Sequence, residues 1–245
     1  MKTITKTAII GSAGLIAAYL LLSRTRRANG GEVAARACGG ALMPEAEIGA
    51  RFARLPLKAH DFLAGIPLHS LDYTELAGGF EAMTIADLYR AAGLDELGET
   101  EMSAATKALF DLRGLIGKIL GWDEVPQLVE AVSYLPRLNE NERARSLVPP
   151  SETRGISRVI YCFENEMLLE IINKTVHCFW LLASERTPDG YGLYNAVYVR
   201  NLNWRTPIYM TMISPVLKRV IYPAIGRSIR QHWKKSFPEA GAPSL

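Results

Sequence analysis

The stretch SRVIYCFENEMLLEIINKTVHCFWLLASERTPDGYGLYNAVYVRN, residues 157–201, decides the fold of this chain. It contains four short runs rich in Val, Ile, Tyr, Phe and Trp, the residues that β-strands favour. The breaks at Glu164-Asn165 and Thr187-Pro188-Asp189-Gly190 have the composition of hairpin turns. The pattern therefore predicts four consecutive antiparallel strands, at Ser157–Phe163, Glu166–Lys174, Val176–Ser184 and Tyr191–Asn201.

The residues after this stretch predict a long C-terminal helix. From Pro207, a favourable residue in the first turn of a helix, apolar residues recur every three to five positions. Pro215 and Pro223 each remove one backbone donor, so we expect them to bend the helix without ending it. The expected fold is α+β, a helix-grip in which a curved antiparallel sheet wraps around this helix. Such layering leaves room between sheet and helix for an apolar ligand.

Fewer signals mark the elements before the four strands. Residues 59–68, AHDFLAGIPL, are typical of a first strand, and the region Ile85–Tyr89 favours a helix. Ser103 is a good N-cap for an amphipathic helix that runs to Leu120. We expect these elements and the later strands to form one folded domain over residues 51–245.

The N-terminal region predicts a membrane anchor. Residues 7–22, TAIIGSAGLIAAYLLL, contain no charge and are followed by a basic run that begins at Arg24. Their length is near the lower limit for a helix that spans a bilayer. A secretory signal peptide has a similar apolar centre, but its cleavage site needs small neutral residues where this chain has arginines. We therefore predict a single-pass transmembrane helix within residues 1–27, a flexible tether at 28–50 and a cytoplasmic folded domain.

The composition argues against several kinds of partner. A net charge of +3 with 22% charged residues is not that of a protein whose main partner is nucleic acid. Cys38, Cys162 and Cys178 are too few and too widely spaced for a zinc site or a disulfide framework. A single bridge between Cys162 and Cys178 stays open as an alternative. We predict no metal and no cofactor.

Three polar residues on the predicted strands are candidates for catalysis. Glu170 either faces solvent, which the rarity of unpaired buried carboxylates favours, or lies inside with a raised pKa as an acid or base. His177 suits proton transfer near neutral pH, although a structural role is the more common one. The phenol of Tyr198 would orient an enolate or carboxylate if its face of the strand lines the cavity.

Five further residues are candidates for ligand binding. Tyr194 and Arg200 share a strand face with Tyr198, and if that face is solvated they are ordinary cross-strand partners. Trp204 and Tyr209 lie near the start of the last helix, where they either pack in the core or line the entrance to the cavity. Trp180 is the fifth candidate and lies on a predicted central strand.

The end of the last helix is basic. Its residues Arg227, Arg230, His232, Lys234 and Lys235 suit two interpretations equally. They are either solvated cations that complement the helix dipole or contacts to anionic lipid headgroups.

Four segments together resemble the bacterial family DUF2867: Ala108–Arg113, Glu164–Thr175, Tyr194–Asn203 and Pro207–Arg230. That family is similar to the START-like, or SRPBCC, helix-grip superfamily, so the resemblance implies lipid or polyketide binding, or a polyketide cyclase. The chain departs from the expected family pattern at Glu166–Leu169 and at Ser214–Val216, where the family's two histidines are missing. Chemistry that depends on those histidines is therefore not carried over.

Two functions fit these observations. The first is a membrane-anchored START-like protein that holds a hydrophobic small molecule, a lipid or a polyketide-like compound, in an internal cavity. The second is a cofactor-independent cyclase or isomerase, which would hold its substrate in a reactive geometry. A subunit that only docks on a membrane complex would instead expose a large apolar patch.

Overall fold

The centre of the fold is an antiparallel sheet whose six strands follow the order β1-β6-β5-β4-β3-β2. The computed structural model describes residues 43–95, 133–154, 157–172, 176–202 and 204–238. These residues belong to one compact unit, Met43–Leu245. The strands are β1 Leu68–Ala77, β2 Thr153–Arg154, β3 Ser157–Cys162, β4 Glu166–Ile172, β5 His177–Thr187 and β6 Gly190–Arg200.

The four consecutive strands and both hairpin turns predicted from the sequence are confirmed as β3 to β6. The prediction of a strand at 59–68 is wrong, because Lys58–Phe62 is a short helix and the first strand begins at Leu68. The carboxylate of Glu166 accepts the backbone N–H groups of Lys58, at 2.6 Å, and of Ala59. A carboxylate that satisfies the free N–H groups of a first turn stabilises a helix there.

One face of the sheet, the back face, carries Leu168, Phe179 and Tyr194. Helices α1, Glu45–Arg54, and α2, Lys58–Phe62, cover this face and bury the rings of Phe52 and Phe62 against it. Residues 45–50 of α1 fall within the predicted tether 28–50, so the folded part begins before residue 51.

The other face, the front face, carries Met167, Leu182 and Leu193. Helix α3, Ile85–Ala91, packs on it and begins with a capping box between Thr84 and Asp87. The chain between the first and second strands also contains a 3₁₀ turn at Leu135–Arg137 and helix α4 at Glu140–Ala144.

The long C-terminal helix is confirmed and lies across the front face. It consists of α5, Arg205–Val216, a π-helical turn at Leu217–Ile221, and α6, Tyr222–Ser236. Ile229 and Trp233 of α6 are buried against the sheet, and the Trp233 indole donates to the carbonyl of Ala77 at 2.8 Å. Pro215 and Pro223 lie on either side of the π-helical turn, as expected of residues that disturb helical hydrogen bonding.

Other sequence predictions are tested only in part. The helix Ile85–Tyr89 is confirmed within α3, whereas Ser103–Leu120 and the anchor at 7–22 lie outside the described residues. Within the described residues, no helix has the length and apolar character needed to cross a bilayer. Cys162 and Cys178 are both free thiols, so the alternative of a bridge between them is wrong.

Candidate functional site

The candidate site lies where the front face of the sheet meets the C-terminal helix. Cys178, Trp180 and Val197 lie on the central strands β5 and β6 and point to this side. Helix α5 packs over part of this surface through Tyr209. All three strand residues nevertheless remain partly accessible to solvent, although side chains in the middle of a covered sheet are normally fully buried. Helix α5 therefore leaves part of this surface accessible, and we call this surface, with the side of the helix that borders it, the helix–sheet cleft.

One edge of the helix–sheet cleft is polar. Asp72 lies opposite Asn195 in the β1–β6 register, and the Asn195 side chain accepts a hydrogen bond from the Trp180 indole. Asp72 is exposed, but the surrounding protein still raises the pKa of its carboxyl, chiefly by desolvation, with a further contribution from Glu45. A carboxyl that a ligand can reach, but whose hydration the surrounding protein reduces, is suited to bind a polar group of that ligand.

The helical wall supplies two more polar groups. Tyr222, at the start of α6, is half-buried, and desolvation raises the pKa of its phenol to about 12. Ser70 lowers this pKa, whereas Cys178 and Asp72 raise it. The hydroxyl of Ser214 lies 3.4 Å from Nε2 of His69, whose pKa is lowered by burial and by Lys218.

The helix–sheet cleft therefore combines an apolar wall with a few polar groups at one side. That is the usual composition of a small-molecule site, in which apolar contacts supply affinity and polar groups fix orientation. Its apolar wall includes Val197 and Ile213, and its polar side holds Asp72, Asn195 and Tyr222. The arrangement fits a largely apolar molecule that carries one hydrogen-bonding group.

The predicted catalytic residues Glu170 and His177 do come together, but on the back face. His177 Nε2 lies 2.8 Å from Glu170 Oε1, and both side chains are fully buried. Ser133 and Arg158 reach the other carboxylate oxygen at 2.6 and 2.9 Å, and the backbone N–H of Tyr134 donates to Oε1 at 2.8 Å. The sheet separates this network from the helix–sheet cleft.

The environment of Glu170 differs from both sequence interpretations. Burial alone would raise the pKa of its carboxyl, but the hydrogen bonds from His177, Ser133, Tyr134 and Arg158 lower it below the ordinary value. The interpretation that Glu170 faces solvent is wrong, because its side chain is buried. The prediction of a raised pKa for a buried Glu170 is also wrong, because the hydrogen-bond donors lower the pKa by more than desolvation raises it. A lowered pKa favours a permanently ionised structural carboxylate over a proton donor.

Three other predicted site residues also lie on the back face. Tyr198 is buried there, and burial raises the pKa of its phenol. Tyr194 donates its hydroxyl to Glu185 at 2.7 Å, and the Arg200 guanidinium lies 5.6 Å from the centre of the Tyr134 ring. These contacts tie them to the layer formed by α1 and the chain around Tyr134. Catalytic roles for Glu170, His177 and Tyr198, and binding roles for Tyr194 and Arg200, stay predictions.

The remaining three candidates lie on the helix side. Trp180 borders the helix–sheet cleft, Tyr209 is buried against Val176 and Val199 beside it, and Trp204 at the start of α5 is 72% exposed. Asp72, Asn195 and Tyr222 were not identified from the sequence. Asp72 could have been found only if β1 had been placed correctly, since the β1–β6 register brings it to Asn195.

The described residues contain no cluster of His, Cys, Asp or Glu side chains that could hold a metal ion. In the comparison with family models, residues 73–224 match the family described as "Protein of unknown function (DUF2867)". This match begins within β1 and covers α3, all later strands, α5 and the π-helical turn. Neither the curated proteins nor the solved structures gave a significant match.

Proposed function

We propose, from the premise that this chain belongs to the DUF2867 family, that it is a binding protein for a hydrophobic small molecule held in the helix–sheet cleft. The observation that carries the proposal is the partial accessibility of Cys178, Trp180 and Val197 beneath the C-terminal helix. Apolar surface left accessible inside a fold is costly unless a ligand covers it.

The proposal includes a START-like helix-grip architecture. Two findings support it: the sheet is antiparallel with β1 beside the last strand, and a long C-terminal helix lies across one face. The polar side of the cleft at Asp72 and Tyr222 suits the polar end of a lipid or polyketide-like molecule. An N-terminal anchor at residues 7–22 would hold the cleft close to a bilayer, the source of such ligands.

The test is to fill the helix–sheet cleft with a larger side chain and to measure whether the ligand is lost. The full chain, purified from its source in mild detergent, is analysed by native mass spectrometry and organic extraction for a co-purified hydrophobic molecule. In Val197→Trp the added indole occupies the cleft, so we expect the bound fraction to fall about tenfold or more. Gln231→Trp is the matched control, because residue 231 is exposed on α6 and adds the same ring outside the cleft.

Stoichiometric ligand in the wild type and in Gln231→Trp, but not in Val197→Trp, would support the proposal and identify the ligand. Equal amounts of ligand in all three proteins would place the binding site elsewhere. The alternative of a cyclase or isomerase stays a prediction. Its three candidate catalytic residues, Glu170, His177 and Tyr198, all lie on the back face, away from the cleft.

A further inference from the structure

The outer surface of the C-terminal helix has a charge distribution unlike that of the rest of the chain. Residues 205–237 contain seven Lys and Arg residues and no Asp or Glu. The rest of the chain holds the other 21 cations and all 25 carboxylates, so its net charge is −4. The positive charge is therefore concentrated on one element.

The cations of this element lie on its solvent-accessible surface, where Lys218 is close enough to His69 and Asp72 of β1 to lower the pKa of both. We call them the cationic face: Lys218, Arg219, Arg227, Arg230, Lys234 and Lys235. Five of the six are exposed, and Arg230 is half-buried. None of them forms an ion pair within the part of the chain that the structure describes, although five other Lys and Arg side chains are ion-paired there. Like charges on one surface repel one another and attract anions, so this face is suited to an anionic partner.

An exposed aromatic ring lies at the end of this face. Phe80 is 70% exposed and contacts Phe237, directly after α6, with ring centroids 5.3 Å apart. The loop holds this ring outward, because the Phe80 carbonyl accepts hydrogen bonds from Tyr191, at 2.7 Å, and from Arg186. Ala82 in the same loop has a φ of +61°, a strained conformation for a residue with a side chain.

We propose that the cationic face, with Phe80 at its end, docks on an anionic phospholipid bilayer. Cations beside an exposed aromatic ring are the combination that binds membrane surfaces, the cations through headgroup phosphates and the ring through the interface. Glu81 is the one carboxylate of the Phe80 loop, and Asp87 nearby is paired with Arg90 at 2.6 Å. The cations of this face thus outnumber the two carboxylates Glu81 and Asp72 beside it, the second of which interacts with Lys218. The docking requires neither the helix–sheet cleft nor an anchor at residues 7–22.

The test is lysine footprinting of the full chain. The protein is mixed with preformed nanodiscs of phosphatidylcholine alone, or of phosphatidylcholine with phosphatidylglycerol, and treated with an acetylating reagent. On anionic discs we expect acetylation of Lys234 and Lys235 to slow by about fivefold or more. Lys58 packs beside Glu142 near the back face and serves as the internal reference, whose rate stays unchanged.

Two variants of equal net charge make the test specific. Arg219→Glu with Arg227→Glu alters the cationic face without removing the reporter lysines, and we expect it to abolish their protection. Arg54→Glu with Arg145→Glu changes exposed cations elsewhere and should leave the protection intact. Equal acetylation on neutral and anionic discs would overturn the proposal, as would equal protection of the lysines by duplex DNA, which would indicate a general polyanion surface. Extraction of ligand from the same variants reports separately on the cleft.

Discussion

Two buried glutamates on one strand show how strongly single residues depend on their surroundings. Glu166 and Glu170 are four positions apart on β4, and both side chains point to the back face. Desolvation raises the pKa of Glu166 in spite of the N–H groups of α2 and the Tyr161 hydroxyl that bind it. The stronger set of donors around Glu170 lowers its pKa instead. Their ionised forms therefore have opposite effects on stability.

We predict that Glu170→Gln lowers the free energy of unfolding by about 3 kcal/mol at pH 7, because it leaves Arg158 without its buried counter-charge. Glu166→Gln should cost less than half as much, since its amide oxygen still accepts from α2. Urea unfolding of both variants measures the difference, with Glu164→Gln in an exposed turn as the control. Equal losses of unfolding free energy in Glu170→Gln and Glu166→Gln would contradict the conclusion that the donors around Glu170 stabilise its ionised form more strongly.

The pH dependence has opposite signs at the two sites. The folded pKa of Glu170 lies below its unfolded value of about 4.3, so its contribution is present above that pH and is lost as the pH falls through the folded pKa. The folded pKa of Glu166 lies above the unfolded value, so its ionisation destabilises the fold as the pH rises toward that pKa. Glu170→Gln should therefore flatten the acid limb of the stability curve, and Glu166→Gln should steepen it.

At the scale of an element, the attachment of α6 depends on one side of the helix. We predict that Trp233→Ala lowers the free energy of unfolding by about 3 to 5 kcal/mol, because the indole is buried beside Ile229. Trp233→Phe should cost about 1 kcal/mol through the lost hydrogen bond to Ala77. Lys234→Ala on the exposed side should change stability by less than about 0.5 kcal/mol. Thermal or urea unfolding gives all three values.

A second prediction concerns the β5–β6 hairpin. A Cβ atom at Gly190 would lie 2.1 Å from the carbonyl oxygen of Leu76 and 2.8 Å from the backbone nitrogen of Gly78. Backbone atoms cannot move away as a flexible side chain can, so Gly190→Ala should destabilise the fold by about 2 kcal/mol or more. Gly226→Ala, where the nearest atom is 3.7 Å away, is the matched control and should be neutral or stabilising. Equal stability of the two variants would contradict the prediction and show that the backbone at the end of β1 can move away from the added methyl group.

The accuracy of the sequence predictions varies from element to element for physical reasons. Strands β3 to β6 are encoded locally by β-branched and aromatic residues and by two turns, so they were predicted. Helix α2 was missed because the carboxylate that caps it, Glu166, is 108 positions away from Lys58. The burial of Glu170 was missed for the same reason, since Ser133 and Tyr134 lie 37 and 36 positions away. The cleft residue Asp72 depends on the register of β1, which no local pattern determines.

At the scale of the whole molecule, the sheet order determines where the fold is most stable. Strands β4, β5 and β6 are interior and paired along nearly their whole length, whereas β2 is a two-residue edge strand. We predict that amides of β5 exchange hydrogen only through global unfolding and that those of β2 exchange much faster. Hydrogen exchange measured by mass spectrometry tests this order. Comparable rates in β2 and β5 would indicate that the sheet does not unfold in this hierarchy.

The two halves of the C-terminal helix are attached to the sheet by different clusters. Helix α5 rests on a small group of buried side chains, Val176, Val199 and Tyr209, whereas α6 contributes Ile229 and Trp233 to a much larger one. The π-helical turn at Leu217–Ile221 lies between the halves, at the point where helical hydrogen bonding is already irregular. Helix α5 can therefore separate from the sheet at the cost of the smaller cluster alone. Such a local opening would provide a route by which a large ligand enters and leaves the cleft while the rest of the domain stays folded.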